Sequence, residues 1–418
     1  ITSSGLLKII AEIAENSYKL EELEILGKNG SKKVKKVLHF QMPGRLIMGI
    51  GALNKLPGII QQSGKNKPLI VTDAGIVKAG IYERIKAVLE NENIEVGCFD
   101  KVEPDPRIEI VYDCLEVAKA KSYDVLIGLG GGSSLDITKV VSILLTNGGD
   151  VSDYLGIDKI PEAGMNTILI PTTAGTGSEA TPIAVLSDKK EHLKKGIVSG
   201  KLYPNVALID PELMTSLPAN ITAYTGIDAL THSIEAYTNK YSQPFVDTFA
   251  LESIRLVGTN LRKAVSNGKD IEARYNMSLA SLYGGMCLGP VNTAGVHALA
   301  YPLGGTFDVP HGIANSLLLP YVMKFNLPAN PEKYAKIASA LGEDITGLSL
   351  NEAAQHSVEA VVQLSRDVGI TSRMRDLNIP ADAIYDMATA AMKVTRLLNN
   401  NPREISLDDA KQIYKNAY

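Results

Sequence analysis

Residues 123–145 read YDVLIGLGGGSSLDITKVVSILL, and this stretch decides the fold. The apolar run before the glycines is typical of a strand buried on both faces, and the apolar residues after Ser134 follow a helical period. Glycine lacks a Cβ atom, so three glycines allow a direct passage from strand to helix: Gly130, Gly131 and Gly132. The stretch predicts one strand-turn-helix unit of a parallel α/β sheet.

The flanking sequence repeats this alternation. We expect strands at residues 68–72, 94–99, 123–129, 167–170 and 205–209, and helices at residues 81–89, 108–119 and 134–145. Beyond residue 214, β-branched runs thin out, and Ala, Leu, Glu and Lys recur at helical spacing. The chain therefore predicts an α/β domain over residues 37–214, a parallel sheet with helices on both faces, and then an all-α domain over residues 215–418.

The first 36 residues carry a different pattern. Apolar residues from Leu6 to Leu23 follow a helical period, and Gly27, Gly30 and the basic residues after them are typical of a helix end. We expect a helical N-terminal extension over residues 1–36, with one or two amphipathic helices that pack on the body of the protein or on a neighbouring subunit.

Composition excludes several classes of protein. The chain has 418 residues, 45% hydrophobic and 21% charged, which is typical of a folded protein with more than one domain. Its 42 basic and 46 acidic residues include no dense basic run, so nucleic acid and anionic membranes are poor partners. No apolar run approaches the roughly 18 residues of a membrane span. Three scattered cysteines argue against a disulfide framework, so we expect a cytoplasmic protein.

Three features at strand ends offer groups that bind nucleotides. The glycine turn at residues 130–133 precedes a helix whose N-terminus favours an anion, although its spacing departs from G-x-G-x-x-G and it lacks a P-loop lysine. Residues 171–179, PTTAGTGSE, supply hydroxyls that suit ribose or phosphate. The carboxylate of Asp73 can accept from both ribose hydroxyls of an adenosine. Plain turns and a helix cap are the alternatives at these three places.

The helical half carries a candidate metal site. Asp228 and His232 lie four residues apart, which places both side chains on one face of a helix. His297 and His311 follow within glycine-rich, otherwise apolar sequence. One carboxylate and three imidazoles suit a divalent transition metal with room for an exchangeable ligand. The alternative is an ion pair on the surface together with two core histidines.

Four collinear motifs together resemble the iron-containing (group III) alcohol dehydrogenase family. They read GGGSSLD at residues 130–136, PTTAGTGSE at 171–179, DALTHSIEAY at 228–237 and HALAYPLGG at 297–305, the last leading to Pro310, His311 and Gly312. The likeness covers nearly all of the chain from about Phe40 onward. It implies that the α/β domain binds a dinucleotide and that the helical domain binds the metal and carries out catalysis.

Residue by residue, the resemblance implies a metal site and a cofactor site. The metal ligands would be Asp228, His232, His297 and His311. The cofactor-binding residues would be Asp73, Gly130, Gly131, Gly132, Ser133, Asp136, Thr172, Thr173, Thr176 and Lys194. In this set the glycine turn holds the pyrophosphate, and Asp73 favours NAD over NADP. Lys194 lies near the nicotinamide ribose, with Lys195 as the alternative alignment.

The activity implied is that of an NAD(H)-linked alcohol dehydrogenase or aldehyde reductase that works as a homo-oligomer. Hydride would pass between the nicotinamide of NAD and a small alcohol held by Fe2+, with Zn2+ or another divalent metal as alternatives. Related enzymes are a second possibility: a zinc polyol dehydrogenase, a dehydroquinate-synthase-like enzyme or a hydroxyacid-oxoacid transhydrogenase. A metal-binding scaffold without activity is a third.

Tyr301 marks a departure from the commoner family pattern, which has a histidine in that place. It lies four residues after His297, so on a helix its phenol shares a face with that ligand. A phenol does not titrate near neutral pH, so we expect Tyr301 to orient the substrate without acting as the general base. Packing of the ring beside Pro302 is the alternative.

Overall fold

The computed structural model describes residues 24–26, 32–34, 37–188, 193–371 and 373–418. Two compact units divide the chain, Ile1–Phe40 and Gln41–Tyr418. In the first unit, strands β1 (Glu24–Leu26) and β2 (Lys32–Val34) pair antiparallel.

The prediction of a helical extension over residues 1–36 is wrong at these two strands. Ile25 and Val34 are β-branched residues, which favour strands. Gly27 and Gly30, which we interpreted as a helix end, lie in the sequence between the strands, where they equally favour a turn. The rest of the predicted helices lies outside the described residues.

A parallel six-stranded sheet forms the centre of the second unit. The strands of this unit are β3 (Leu46–Met48), β4 (Pro68–Val71), β5 (Gly97–Phe99), β6 (Val125–Gly130), β7 (Gly156–Ile157), β8 (Thr167–Pro171), β9 (Ile183–Asp188), β10 (Leu193–Val198) and β11 (Val206–Ile209). The central sheet has the order β3-β11-β8-β6-β4-β5, and each neighbouring pair is parallel.

Helices cover both faces of this sheet. They are α1 (Leu56–Gln62), α2 (Ala74–Lys78), α3 (Ile81–Glu90), α4 (Ile108–Ala120), α5 (Gly132–Asn147) and α6 (Val151–Tyr154). Successive residues of a strand point to opposite faces. Leu126 of β6 accordingly packs in the apolar cluster that contains residues of α4 and α5, whereas Ile127 packs in the cluster that contains residues of α1 and α3.

Strands β7, β9 and β10 form a smaller sheet that the sequence did not predict, in the order β7-β10-β9. The reason is that β10 contains the charged residues Lys194 and Lys195, and its conformation depends on antiparallel pairing with β9. Successive residues of a strand point to opposite faces, so the side chains of Lys194 and Lys195, the two candidates for the cofactor-binding lysine, leave β10 on opposite faces. Lys194 pairs with Asp105 at 2.6 Å, whereas Lys195 pairs with Asp188 at 2.8 Å.

The rest of the chain is helical. Its helices are α7 (Ala219–Thr238), α8 (Pro244–Ser266), α9 (Ile271–Val291), α10 (Gly295–Phe307), α11 (His311–Asn326), α12 (Pro331–Ala340), α13 (Leu350–Asp367), α14 (Ile384–Ala391), α15 (Thr395–Leu398) and α16 (Leu407–Ala417). Helix α7 packs against α8, α9 and α11, and it is buried on every side from residue 226 to residue 238.

The predicted fold class is confirmed: a parallel α/β sheet with helices on both faces precedes an all-helical region. The predicted strands and helices of the sheet region agree with the structure to within a few residues. The domain limit at residue 214 stays a prediction; β11 ends at Ile209 and α7 begins at Ala219. Within the described residues, no helix is long and apolar enough to cross a membrane.

Candidate metal and cofactor site

Helix α7 carries three buried polar side chains. Asp228, His232 and Glu235 follow one another at intervals of four and three residues, so they share a helix face. They are only 3%, 5% and 4% exposed, respectively. Burying such groups is costly unless they find partners, and the partners here come largely from α10 and α11.

Asp228, His297 and His311 form a cluster of the kind that binds metals. Their coordinating atoms lie within 4.8 Å of one another. The side-chain nitrogen of Asn315 lies among them, 2.8 Å from Asp228 Oδ1, 3.0 Å from His297 Nε2 and 3.1 Å from His311 Nε2. An amide nitrogen has two hydrogens for these three atoms, so one lone pair lacks a donor. A divalent transition metal fits this set of one oxygen and two nitrogens.

His232 lies at the edge of the cluster. Its Nε2 is 3.9 Å from Asp228 Oδ1, and its ring stacks on that of His297 with 4.8 Å between the centroids. Its Nδ1 lies 3.3 Å from the carbonyl oxygen of Gly175, so Nε2 is the nitrogen nearer to Asp228. The structure thus brings the four predicted ligands together. Metal binding by them stays a prediction.

The charge states of the cluster suit a cation. Burial lowers the pKa of His232 and of His311, which favours neutral imidazoles with a free lone pair. Burial alone would raise the pKa of Asp228, but the three imidazoles and the Asn315 amide hold it below its ordinary value. Deprotonated ligands are what a metal requires.

Glu235 is a functional residue that the sequence analysis missed. Its Oε2 lies 2.5 Å from His297 Nδ1 and accepts from Ala294 N at 3.0 Å, while its Oε1 accepts from Val296 N at 2.6 Å. Because the proton is then held on Nδ1, the lone pair of His297 is on Nε2, toward Asp228. A signal was present in the sequence, since Glu235 lies seven residues after Asp228 and three after His232.

Replacing Glu235→Gln is expected to lower metal affinity by about 10–100-fold, because an amide offers no charge to hold the His297 tautomer. A competitive chelator titration measures this affinity. Glu252→Gln is the matched control, since the side chain of Glu252 on α8 is 42% exposed and is paired only with Arg255 among the described contacts. Equal metal affinity in both variants would contradict the role assigned to Glu235.

The glycine turn lies at the carboxyl end of β6, directly before α5. Gly130 has φ +145°, which favours glycine. A Cβ atom there would lie 2.7 Å from Ser134 Oγ and 3.3 Å from Asp73 Oδ2. Gly132 and Ser133 line a cleft. The structure therefore brings the glycine turn and Asp73 together.

The second turn lies beside the first. Thr172 N donates to Gly130 O at 2.9 Å. A Cβ atom on Gly132 would lie 2.8 Å from Thr176 Cγ2, and one on the middle glycine would lie 3.6 Å from Thr173 Oγ1. Strand order explains this contact, because β6 and β8 are parallel neighbours whose carboxyl ends meet at one edge.

Several buried hydroxyls at this edge lack partners. Thr72, Ser134 and Thr172 each have a buried side-chain oxygen without a hydrogen-bond partner in the described part of the chain. Buried polar atoms are normally paired, so this edge suits a ligand with many polar atoms. A dinucleotide meets that requirement, and its pyrophosphate suits the helix N-terminus after the glycines.

Asp136 and Lys194 line the same cleft, but both have protein partners. Asp136 accepts from Ser178 Oγ at 2.6 Å and from Val185 N at 2.9 Å, so it ties α5 to β9. Lys194 Nζ lies 2.6 Å from Asp105 Oδ1. Direct contact of Asp136 or Lys194 with a cofactor stays a prediction.

The cleft has a volume of about 1040 Å³ and joins the two predicted sites, since its wall includes the glycine turn and His311. Tyr301 also lines it, with its ring centroid 6.5 Å from that of His311. Burial raises the pKa of the Tyr301 phenol, although the positive charge of Arg396 acts in the opposite direction. The candidate metal ligands and the glycine turn that would bind a nucleotide therefore line the same cleft.

Known proteins resemble the chain over nearly all of its length. The family model for iron-containing alcohol dehydrogenases matches residues 43–211, and that for the C-terminal part of the Fe-containing alcohol dehydrogenase family matches residues 222–418. The 1,3-propanediol dehydrogenase of Klebsiella pneumoniae is 40% identical over 385 residues, which are 92% of this chain and 99% of that protein. The NAD-dependent methanol dehydrogenase of Bacillus methanolicus is 37% identical over 379 residues, 91% of this chain and 99% of that protein.

Solved structures give the same result. A 1,3-propanediol oxidoreductase superposes with a TM-score of 0.89 at 40% identity, covering 91% of this chain and 100% of that one. The resemblance inferred from four motifs is confirmed by these matches, which extend along both the sheet and the helical region. The chain belongs to the iron-containing alcohol dehydrogenase family.

Proposed function

We propose that this NAD(H)-linked alcohol dehydrogenase binds a divalent metal, Fe2+ in keeping with its family, through Asp228, His232, His297 and His311. The observation that carries the proposal is the convergence of Asp228, His297 and His311 in a cleft whose wall also includes the glycine turn. Zn2+ suits the same ligands, so the metal bound will depend on supply and handling.

In the proposed reaction, different residues of the chain would hold the metal, orient its ligands and bind the cofactor. When bound, the metal would polarise the substrate oxygen and NAD would accept the hydride. Glu235 holds a proton on His297 Nδ1 and so keeps Nε2 available. Asp228 and His297 are each 3% exposed, so the surrounding helices largely exclude water from the cluster. The glycine turn would hold the pyrophosphate at the start of α5.

The experiment that tests this function starts with elemental analysis of anaerobically purified protein. NADH formation is then followed with a panel of small primary and secondary alcohols, and NADH consumption with their aldehydes and ketones. Near-stoichiometric metal and steady turnover that a chelator abolishes and Fe2+ restores would support the proposal. Absence of turnover across the panel, with metal and NAD both bound, would overturn it.

The substrate class follows from the relatives, whose names specify 1,3-propanediol and methanol. We expect a small primary or secondary alcohol and its aldehyde or ketone. The alternatives of a polyol dehydrogenase, a dehydroquinate-synthase-like enzyme and a transhydrogenase are not favoured, because these relatives are alcohol dehydrogenases.

The two carboxylate oxygens of Asp73 lie in different surroundings. Its Oδ1 caps α2 by accepting from Gly75 N at 2.8 Å and from Ile76 N at 3.1 Å. Its Oδ2 points toward Gly130 of the glycine turn. The helix cap and the position beside the cofactor turn are therefore compatible, since different oxygens serve them.

We expect NAD to be preferred over NADP by at least about tenfold in kcat/KM, because the Asp73 carboxylate would repel a 2′-phosphate. Asp73→Gly should narrow that gap. Asp73→Ser is the sharper variant, since serine keeps a capping oxygen and removes only the charge. Equal use of NAD and NADP by the unmodified protein would show that this carboxylate does not face the ribose.

Tyr301→Phe is expected to lower alcohol turnover by less than about 100-fold, with metal content unchanged. The reason is that burial raises the pKa of the phenol still further above neutrality, so it is a poor general base. Tyr385→Phe, at an exposed residue of α14, serves as the control. A loss of several thousand-fold with metal and fold intact would assign an essential proton to Tyr301.

A cytoplasmic location and a homo-oligomeric state complete the proposal, with a small alcohol or aldehyde as the substrate. Support for the location comes from the cysteines: Cys98, Cys114 and Cys287 are all free, as in a reducing compartment. Light scattering of the purified protein measures the assembly, and a monomer at micromolar concentration would contradict it.

A further inference from the structure

Arg396 is a residue of the cleft wall for which the proposed chemistry gives no role. It is half-buried in the short helix α15, and its side chain lines the same cleft as Tyr301 and His311. A guanidinium stays protonated in proteins, so the cleft contains a permanent positive charge at this place.

This charge has no carboxylate partner within ion-pair distance among the described residues. Three carboxylates of the cleft are already paired, each with a different base: Glu103 with Arg107, Asp105 with Lys194 and Asp188 with Lys195. An unpaired charge in a partly buried place is unfavourable, and an anion that enters the cleft would compensate it.

The hydrogen bonds of Arg396 are also incomplete. One of its nitrogens, Nη1, is buried and has no acceptor in the described part of the chain. A buried donor without an acceptor costs free energy, so the site is suited to an acceptor that a bound molecule brings.

The guanidinium of Arg396 indicates which chemical group of a ligand it would bind. Its planar fork binds carboxylates and related oxyanions through two parallel hydrogen bonds. Its position limits the length of the molecule. Arg396, Tyr301 and His311 line the same cleft, and the Tyr301 ring centroid is 6.5 Å from that of His311, so a short molecule bound at the guanidinium would remain in the cleft that contains the metal cluster.

Resting on the proposed function, we propose that Arg396 anchors the negatively charged end group, a carboxylate or a sulfonate, of a short aldehyde or alcohol whose oxygen reacts at the Asp228 cluster. In the reductive direction the aldehyde carbon receives the hydride of NADH and its oxygen receives a proton, which gives an alcohol and NAD. The charged end group is unchanged by the reaction. Its role is to place the other end of the molecule.

The test compares two aldehydes of equal chain length and similar size. 4-Oxobutanoate ends in a carboxylate, and 4-methylpentanal replaces that carboxylate with an uncharged group of the same branching. We expect kcat/KM for 4-oxobutanoate to be at least tenfold higher than for 4-methylpentanal, mainly through KM. In Arg396→Met this ratio should fall by at least tenfold, and in Arg396→Lys it should fall by less.

A control and a binding measurement make the test specific. Arg375→Met removes the same charge from an exposed residue outside the cleft wall, and it should leave the ratio unchanged. Calorimetric titration with 4-hydroxybutanoate should show at least tenfold weaker binding to Arg396→Met than to the unmodified protein. 3-Oxopropane-1-sulfonate should behave as 4-oxobutanoate does if the site accepts either oxyanion.

Three results would contradict the proposal that Arg396 anchors a negatively charged end group. One is equal kcat/KM for 4-oxobutanoate and 4-methylpentanal in the unmodified protein, with both turned over. Another is a preference for 4-hydroxybutanal over 4-oxobutanoate, which would assign Arg396 to an uncharged acceptor. The third is an equal loss with every aldehyde in Arg396→Met, which would make the residue structural. Absence of turnover with all aldehydes in metal-loaded protein is distinct, because it overturns the proposed function itself.

Discussion

Asp228→Ala is expected to remove most of the bound metal and to lower turnover by about a thousandfold or more. Asp228 supplies the carboxylate of the cluster, and its Oδ1 lies 3.9 Å from His232 Nε2 and 4.0 Å from His297 Nε2. Without that charge, imidazoles alone would face the cation. Metal stabilisation of a developing oxygen charge is worth several kcal/mol, and each 1.4 kcal/mol is a tenfold change in rate.

Metal content by elemental analysis and kcat with a simple alcohol measure the two effects. NAD affinity should stay within a few fold, because the glycine turn is built from β6 and α5 and not from α7. Asp228→Asn is the matched variant, since it keeps the volume and removes the charge. Retention of metal and activity in Asp228→Ala would show that the cluster is not the metal site.

Local patterns explain why the sheet and half of the cluster were predictable from sequence. A strand buried on both faces followed by glycines and a helical period specifies its own conformation, and β6 and α5 lie within two residues of their predicted ends. The Asp228 and His232 pair was predictable for the same reason, because helical spacing alone places both on one face.

Long-range contacts explain what was missed. Glu235 and Asn315 acquire their roles only when α10 and α11 pack on α7, since their partners are 62 and 87 residues away along the chain. The pairing of β9 with β10 likewise decides that Lys194, and not Lys195, lines the cleft. Strands of mixed polarity depend on such neighbours more than on their own composition.

A close backbone contact holds the turn at residues 171–179 against α9. Gly177 has φ +58°, which favours glycine, and a Cβ atom on it would lie 2.6 Å from Gly285 Cα. A Cβ atom on Gly285 would lie 2.8 Å from Gly177 Cα. Both neighbours are backbone atoms, so no change of rotamer relieves the contact. Ser178 follows directly and donates to Asp136, so displacement of this turn would disturb the side of the cleft where we propose that the cofactor binds.

Gly285→Ala is therefore expected to lower Tm by several degrees and to weaken NADH binding by more than tenfold. Overpacking costs about 1–3 kcal/mol or more, and each 1 kcal/mol shifts Tm by roughly 2–4 °C in domains of this size. Gly58→Ala in α1 is the matched control, because a Cβ atom there meets nothing within 4 Å and a helical alanine stabilises by up to about 1 kcal/mol. Thermal unfolding and fluorescence titration with NADH measure the two quantities. If Gly285→Ala matches Gly58→Ala in both, α9 can move aside without cost, and the contact with Gly177 does not position the turn.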